Sequence, residues 1–176
     1  MTVISKELLD QFFELASEKL SGEWILLGGS VLPYVGRSIR ATVDIDLATT
    51  SLRGGEQQLK LMEIAESLSL PIEAVNTAAE FFVRKISGFE DNLVHMFSKD
   101  DFCVYRPNVN LFIQLKLPRL SESDLEDTLE FLRFAREIEE RVDVRLLEKL
   151  ISKELEKGDH RMNRLKSLLE ALPAVS

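Results

Sequence analysis

The stretch WILLGGSVLPYVGRSIRATVDIDLATT, residues 24–50, decides how the chain is read. Its apolar start, residues 24–27, reads as a buried strand that runs into Gly28, Gly29 and Ser30. A short helix over 31–35 follows, and a second strand over 43–48 carries Asp44 and Asp46 one residue apart. If that strand is extended from Asp44 onward, its side chains alternate, so both carboxylates point to one face with their backbones ~6 to 7 Å apart. Two carboxylates so placed can share hard divalent cations. Magnesium commonly binds through one or two carboxylates and takes its other ligands from phosphate oxygens. Gly28 and Gly29 let backbone approach a ligand closely. Ser30 offers a hydroxyl, and the N–H groups opening the next helix favour an anion.

Outward from this unit, the pattern is an α/β (α+β) core followed by helices. Leu8, Leu9, Phe12, Phe13, Ala16 and Leu20 recur at helical spacing, with Ser5 as N-cap and Gly22 as the stop. Residues 51–55 read as a polar turn with paired glycines, and 56–70 as a helix stopped by Pro71. Residues 81–86, 93–97 and 102–105 are short β-prone runs separated by turn residues, a pattern that extends the sheet. Helices are expected over 109–117, 144–155 and 162–169, with another capped by Ser121 or Ser123, each followed by an acid three residues on. The expected organisation is a core over 1–120 and a helical segment over 121–176.

Composition narrows the function classes. A chain of 176 residues with 45% hydrophobic content suits a globular core. No stretch approaches the ~20 apolar residues of a membrane span, and residues 1–20 carry acids and helical periodicity where a signal peptide would be apolar. The expectation is a soluble, cytoplasmic protein with no membrane partner. Cys103 is the single cysteine, so no internal disulfide can form. The net charge of −8 argues against broad nucleic-acid binding, which needs a field of Lys and Arg. Residues 121–157 hold twelve acids and seven bases, an excess of five. Around the motif the balance is nearly even, with Arg37, Arg40, Arg53 and Lys60 nearby in sequence. His95 and His160 lack metal-ligand spacing.

Gly29-Ser30 followed, after thirteen intervening residues, by Asp44-Ile-Asp46 resembles the signature of the nucleotidyltransferase superfamily related to DNA polymerase beta. Within it, Arg40-Ala-Thr42-Val-Asp44-Ile-Asp46 is similar to the R-x-T-x-D-x-D of small bacterial nucleotidyltransferase-like proteins and abortive-infection toxins. Residues 28–49 also look like the head of CCA-adding enzymes and poly(A) polymerases. The CCA-adding family has Arg-Asp soon after its glycines, where this chain has Leu32-Pro33, which disfavours a tRNA-tail polymerase. A second resemblance lies in LKLPRLSESDLEDTLEFL: Lys116, Arg119, Asp124 and Asp127 match the K-L-x-R and D-x-x-D of the abortive-infection type, although Ser123 stands where a basic residue is usual.

The resemblance implies a nucleotidyltransferase-like mixed sheet and a metal-dependent transfer of a nucleoside monophosphate from a nucleoside triphosphate to a tRNA or protein hydroxyl. Asp44 and Asp46 would bind Mg2+ or Mn2+. Gly28, Gly29, Ser30, Arg40 and Thr42 would bind the nucleotide, Lys116 would contact the triphosphate, and Asp127 or Asp124 would assist near the metals or the acceptor. A third carboxylate belongs to the family's site. Asp91 and Asp101 flank candidate strands, and His95 stands where an acid is expected. Two other readings share these residues: a catalytically silent member acting as an antitoxin or interaction module, and a small-molecule enzyme similar to the aminoglycoside adenylyltransferases. A cognate toxin or antitoxin partner goes with the first two readings. The local alternatives are plainer: Lys116 as an exposed lysine, Asp124 and Asp127 as helix-start acids, Arg40 as a loop anchor.

Overall fold

The computed structural model describes residues 2–37, 40–50 and 54–173. The chain divides into two compact units, Met1–Pro107 and Asn108–Ser176. Among the described residues the first unit is an α+β layer structure around a five-stranded mixed sheet, and the second is helical.

Helix α1 (Lys6–Lys19) starts where Ser5 accepts a hydrogen bond from the Leu8 N–H at 3.2 Å. It buries Leu9, Phe12, Phe13 and Ala16, the stripe its 3.6-residue period puts on one face. Strand β1 (Gly22–Leu27) carries four consecutive buried residues. It lies at the centre of the sheet, between β2 (Ile45–Thr49), antiparallel to it, and β5 (Phe102–Pro107), parallel to it. The two-residue strand β3 (Val75–Asn76) flanks β2, and β4 (Leu93–Lys99) flanks β5, giving the order β3-β2-β1-β5-β4. Phe13 touches the rings of Phe12, Tyr34 and Phe97 with centroids 5.7–6.0 Å apart, tying α1 to the sheet.

Three local expectations are corrected. Residues 81–86, read as a strand, contain helix α4 (Glu80–Val83). A strand would have to alternate Phe81 and Phe82 between faces; the helical turn leaves both exposed, buries Val83, and closes an i,i+4 pair between Glu80 and Arg84. Arg84 then donates to the Thr49 carbonyl at 2.9 Å, fastening α4 to β2. Helix α3 (Gly54–Ser67) begins at the paired glycines and ends before Leu70, whose N–H bonds the Ala65 carbonyl, so Pro71 is not its stop. Of the turn expected over 51–55, residues 51–53, Arg53 included, lie outside the described residues. Strand β2 starts at Ile45, so Asp44 immediately precedes it.

The second unit contains α5 (Val109–Lys116), α6 (Glu122–Glu137), α7 (Val144–Leu155) and α8 (Met162–Ala171). Asn108 and Asp143 cap α5 and α7 by accepting from the N–H groups of Leu111 and Leu146. Phe112 and Phe131 stack at 4.4 Å across α5 and α6, and Leu147, Ile151, Leu165 and Leu168 of α7 and α8 are fully buried as well. The loop from α6 to α7 is pinned by Asn110, whose amide donates to the Arg141 carbonyl and accepts from the Asp143 N–H. Among the described residues no helix is long and apolar enough to cross a membrane.

Candidate functional site

The antiparallel register of β1 and β2 sets Leu27 opposite Asp46, which brings the Asp46 side chain against the turn that begins at Gly28. Gly28 has φ +62°, and a Cβ built there would lie 2.1 Å from Asp46 Oδ2 and 3.1 Å from Asp46 Cγ. The space a side chain would fill is thus occupied by the aspartate carboxylate. Only glycine meets both conditions, the left-handed backbone and the missing Cβ. Asp46 is half-buried and Asp44 exposed, while Ile45 between them is fully buried in the core.

Ser30 closes the 3-10 turn Gly28–Ser30 in which Gly29 is half-buried. Its hydroxyl is fully buried and donates to the Leu27 carbonyl at 2.8 Å, fastening the turn to the end of β1. Helix α2 (Val31–Tyr34) follows directly. Arg40 is exposed, and Thr42 is half-buried with its carbonyl accepting from the Ile4 N–H at 2.7 Å. Asp44, Asp46, Gly28, Gly29, Ser30, Arg40 and Thr42 therefore belong to the first unit.

Neither candidate for a third carboxylate lies on a strand paired with β2. The Asp101 carbonyl accepts from Gly22, at the opposite end of β1 from Gly28 and ~20 Å away along the strand. Asp91 lies in the turn Phe89–Asn92 that leads into β4, a strand separated from β1 by β5 in the sheet order. His95 is exposed; its Nε2 hydrogen-bonds the Ser98 hydroxyl and its ring meets Tyr105 edge-on at 5.6 Å. The residue that faces Asp46 across β3 is Asn76, whose Oδ1 accepts from the Ala78 N–H at 3.3 Å. Sequence reading missed it because a two-residue strand leaves no alternation to detect.

The donor set is compatible with a hard divalent cation. The Asp46 carboxylate lies against the Gly28 backbone and Asp44 is exposed two residues earlier; these two acids would hold such an ion, which would take its remaining ligands from substrate oxygens and water. Among the described residues no group of three or more His, Cys, Asp or Glu is assembled to enclose an ion.

Lys116, Arg119, Asp124 and Asp127 form a separate network inside the second unit. Lys116 is 8% exposed, and its ammonium donates to Asp124 Oδ1 at 2.8 Å and to Asp127 Oδ2 at 3.1 Å; both aspartates are fully buried. Arg119 adds a bidentate pair to Asp124, and Ser121 completes a capping box with it. Burial alone would raise the Asp124 pKa; the hydrogen bonds from Arg119, Lys116 and Ser121 and the Lys116 charge overcome it and hold the carboxyl well below the usual carboxylate range. The reading of Lys116 as an exposed lysine is corrected by its burial. Arg161, 4% exposed, is a further member that sequence reading missed: it donates to the carbonyls of Leu117 and Pro118 after α5 and pairs with Glu154 and Asp159. That guanidinium and the Arg161 N–H hold Asp159 down to about 2.

What fold and site define together is an α+β unit in which a glycine turn and the start of a strand carrying Asp46, with Asp44 just before it, meet at one end of a mixed sheet. No protein-family model matches the chain, and searches of curated proteins and of solved structures find no significant match.

Proposed function

We propose that the first unit binds a metal-complexed nucleoside triphosphate and transfers its nucleoside monophosphate to an acceptor hydroxyl, of tRNA or of a protein. The observation that carries this reading is the Asp46 carboxylate lodged over Gly28, which puts an acid in reach of a phosphate lying along the glycine turn. Asp44, exposed one residue before β2, supplies the second carboxylate. Bound divalent cations would supply charge neutralisation and polarise the acceptor and leaving oxygens, as in two-metal phosphoryl transfer. The acceptor oxygen attacks the α-phosphorus in line, the bond to the bridging oxygen breaks, pyrophosphate leaves, and the hydroxyl proton passes to a base.

The test is incubation with magnesium and each α-labelled nucleoside triphosphate, with total tRNA and with protein, beside Asp44→Ala/Asp46→Ala. Label should move to one acceptor class and vanish in the double variant; transfer that survives loss of both aspartates overturns the metal mechanism.

A second reading is favoured by Asn76. Where a carboxylate facing Asp46 would complete a three-acid site, the chain has a neutral amide. On this reading the unit is a catalytically silent module working through a protein partner, of the toxin or antitoxin kind. It predicts no label transfer to any acceptor and no nucleotide-dependent rise in melting temperature.

A further inference from the structure

Asp46 and Asp44 are held by different means. Asp46 sits within the β2 ladder, bonded on one side to β1 and on the other to β3, and rests on Gly28. Asp44 has no ladder: residues 41–44 run outside any strand, and regular pairing begins at Ile45. Two carboxylates that share an ion must nevertheless keep a fixed separation. Something other than the sheet must therefore fix the approach to Asp44.

We infer that the segment entering α1, Ile4 with Lys6, is a positioning strap for the paired aspartates; the inference rests on the metal-binding reading above. Ile4 is 2% exposed, and its N–H donates to the Thr42 carbonyl at 2.7 Å, two residues before Asp44. Ser5, the next residue, caps α1 through the Leu8 N–H, so the donor is attached to the start of a rigid helix. At the first residue of the same helix the Lys6 ammonium lies 4.8 Å from the centroid of the Tyr34 ring, on the helix that follows the Gly28–Ser30 turn. Tyr34 is secured from the other side by its hydroxyl, which donates to the Met96 carbonyl at 3.3 Å. The start of α1 thus touches the chain leading to the first aspartate and the chain leaving the glycine turn. Both flanks of the site refer to one helix end. The strap acts through backbone position and touches no substrate, so Ile4 and Lys6 are positioning residues.

Proline at residue 4 removes the N–H, and it is tolerated ahead of a helix N-cap. Ile4→Ala removes most of the same buried side chain but keeps the donor. The pair therefore separates the hydrogen bond from packing. Two measurements on the full chain apply: Mn2+ affinity by electron paramagnetic resonance, and hydrogen exchange of the amides of Val43, Asp44 and Ile45 without metal. Relative to Ile4→Ala, Ile4→Pro should weaken Mn2+ binding about ten-fold, the lower end of what loss of an outer-shell support costs a metal site. It should also speed exchange at those amides, with the two variants melting within a few degrees of each other. Lys6→Met should weaken Mn2+ binding by a smaller factor. Equal Mn2+ affinity in Ile4→Pro and Ile4→Ala, or unchanged exchange over these amides, overturns the strap. Wild-type protein that binds no Mn2+ instead overturns the metal reading itself, and the strap's role in it.

Discussion

The chain holds two groups of acids that look alike in sequence and differ in physical setting. Asp124 and Asp127 are fully buried and answered by the Lys116 ammonium, with Arg119 adding a fork to Asp124. Asp44 is exposed and Asp46 half-buried, placed against a backbone that has no side chain. A buried carboxylate whose charge is already matched by a cation has its free energy committed to the fold, because desolvating it is costly unless it stays paired. A carboxylate at the surface carries little of that commitment and can exchange water for a ligand. The second unit's acids therefore hold helices together, whereas the proposed function gives those of the first a chemical role.

The largest effect should come from breaking the committed group. Lys116→Met leaves Asp124 and Asp127 buried without that ammonium, and should cost about 3 to 5 kcal/mol of stability, the range for deleting one partner of a buried ion pair. Urea unfolding of the wild type and the variant measures it. Lys116→Met/Asp127→Leu, which removes a carboxylate along with the cation, should recover part of the loss. A variant as stable as wild type would show that the network is not structural.

The Asp124 charge gives the same contrast a pH dependence. Its folded pKa is depressed below the unfolded value of about 4, so its stabilisation is complete above that pH and is lost as pH falls through the folded pKa. Wild type should exceed Asp124→Asn in urea midpoint at pH 7, and the gap should narrow steadily below about pH 4. Gly28→Ala comes next in size. The positive φ alone costs about 1 to 2 kcal/mol in an L-residue, and the new methyl must displace the Asp46 carboxylate, which stands 2.1 Å from it. Mn2+ affinity should fall by more than that stability loss explains.

How far the sequence was legible follows from the kind of signal each residue leaves. The glycine turn and the strand carrying Asp46 were readable because an apolar run ends in a glycine pair and alternating residues follow, whereas the Leu27 to Asp46 register and the start of β2 after Asp44 come from the structure. Ser121 and Asp124 were readable as a cap because the box is a local device. Burial of Lys116 was not, since the same lysine at the same helical position reads equally well as exposed; only the return of α6 brings the two carboxylates to it. Phe81 and Phe82 misled because aromatic runs favour strands on average, whereas here a four-residue helix fastened by Arg84 leaves both rings exposed. Asn76 and the Ile4 to Thr42 hydrogen bond depend on pairings across 30 and 38 residues of chain, which no local pattern encodes.

The smallest effect on stability should come from Asp44→Ala, and it is the most discriminating. An exposed residue outside the ladder contributes within about 0.5 kcal/mol when truncated, so the melting temperature should hardly move. Removing one of two carboxylates at an ion site, by contrast, should weaken Mn2+ binding severalfold or more and remove label transfer. Lys116→Met predicts the reverse order, with a large loss of stability and metal affinity preserved in whatever fraction remains folded. If Asp44→Ala proves as destabilising as Lys116→Met, the Asp44 and Asp46 pair is structural and the distinction between the two groups of acids collapses. If it is neutral for stability and also for Mn2+, Asp46 alone serves the site and the Asp-x-Asp reading fails at its first aspartate. Loss of metal without loss of fold is the outcome that separates a working carboxylate from a buried one.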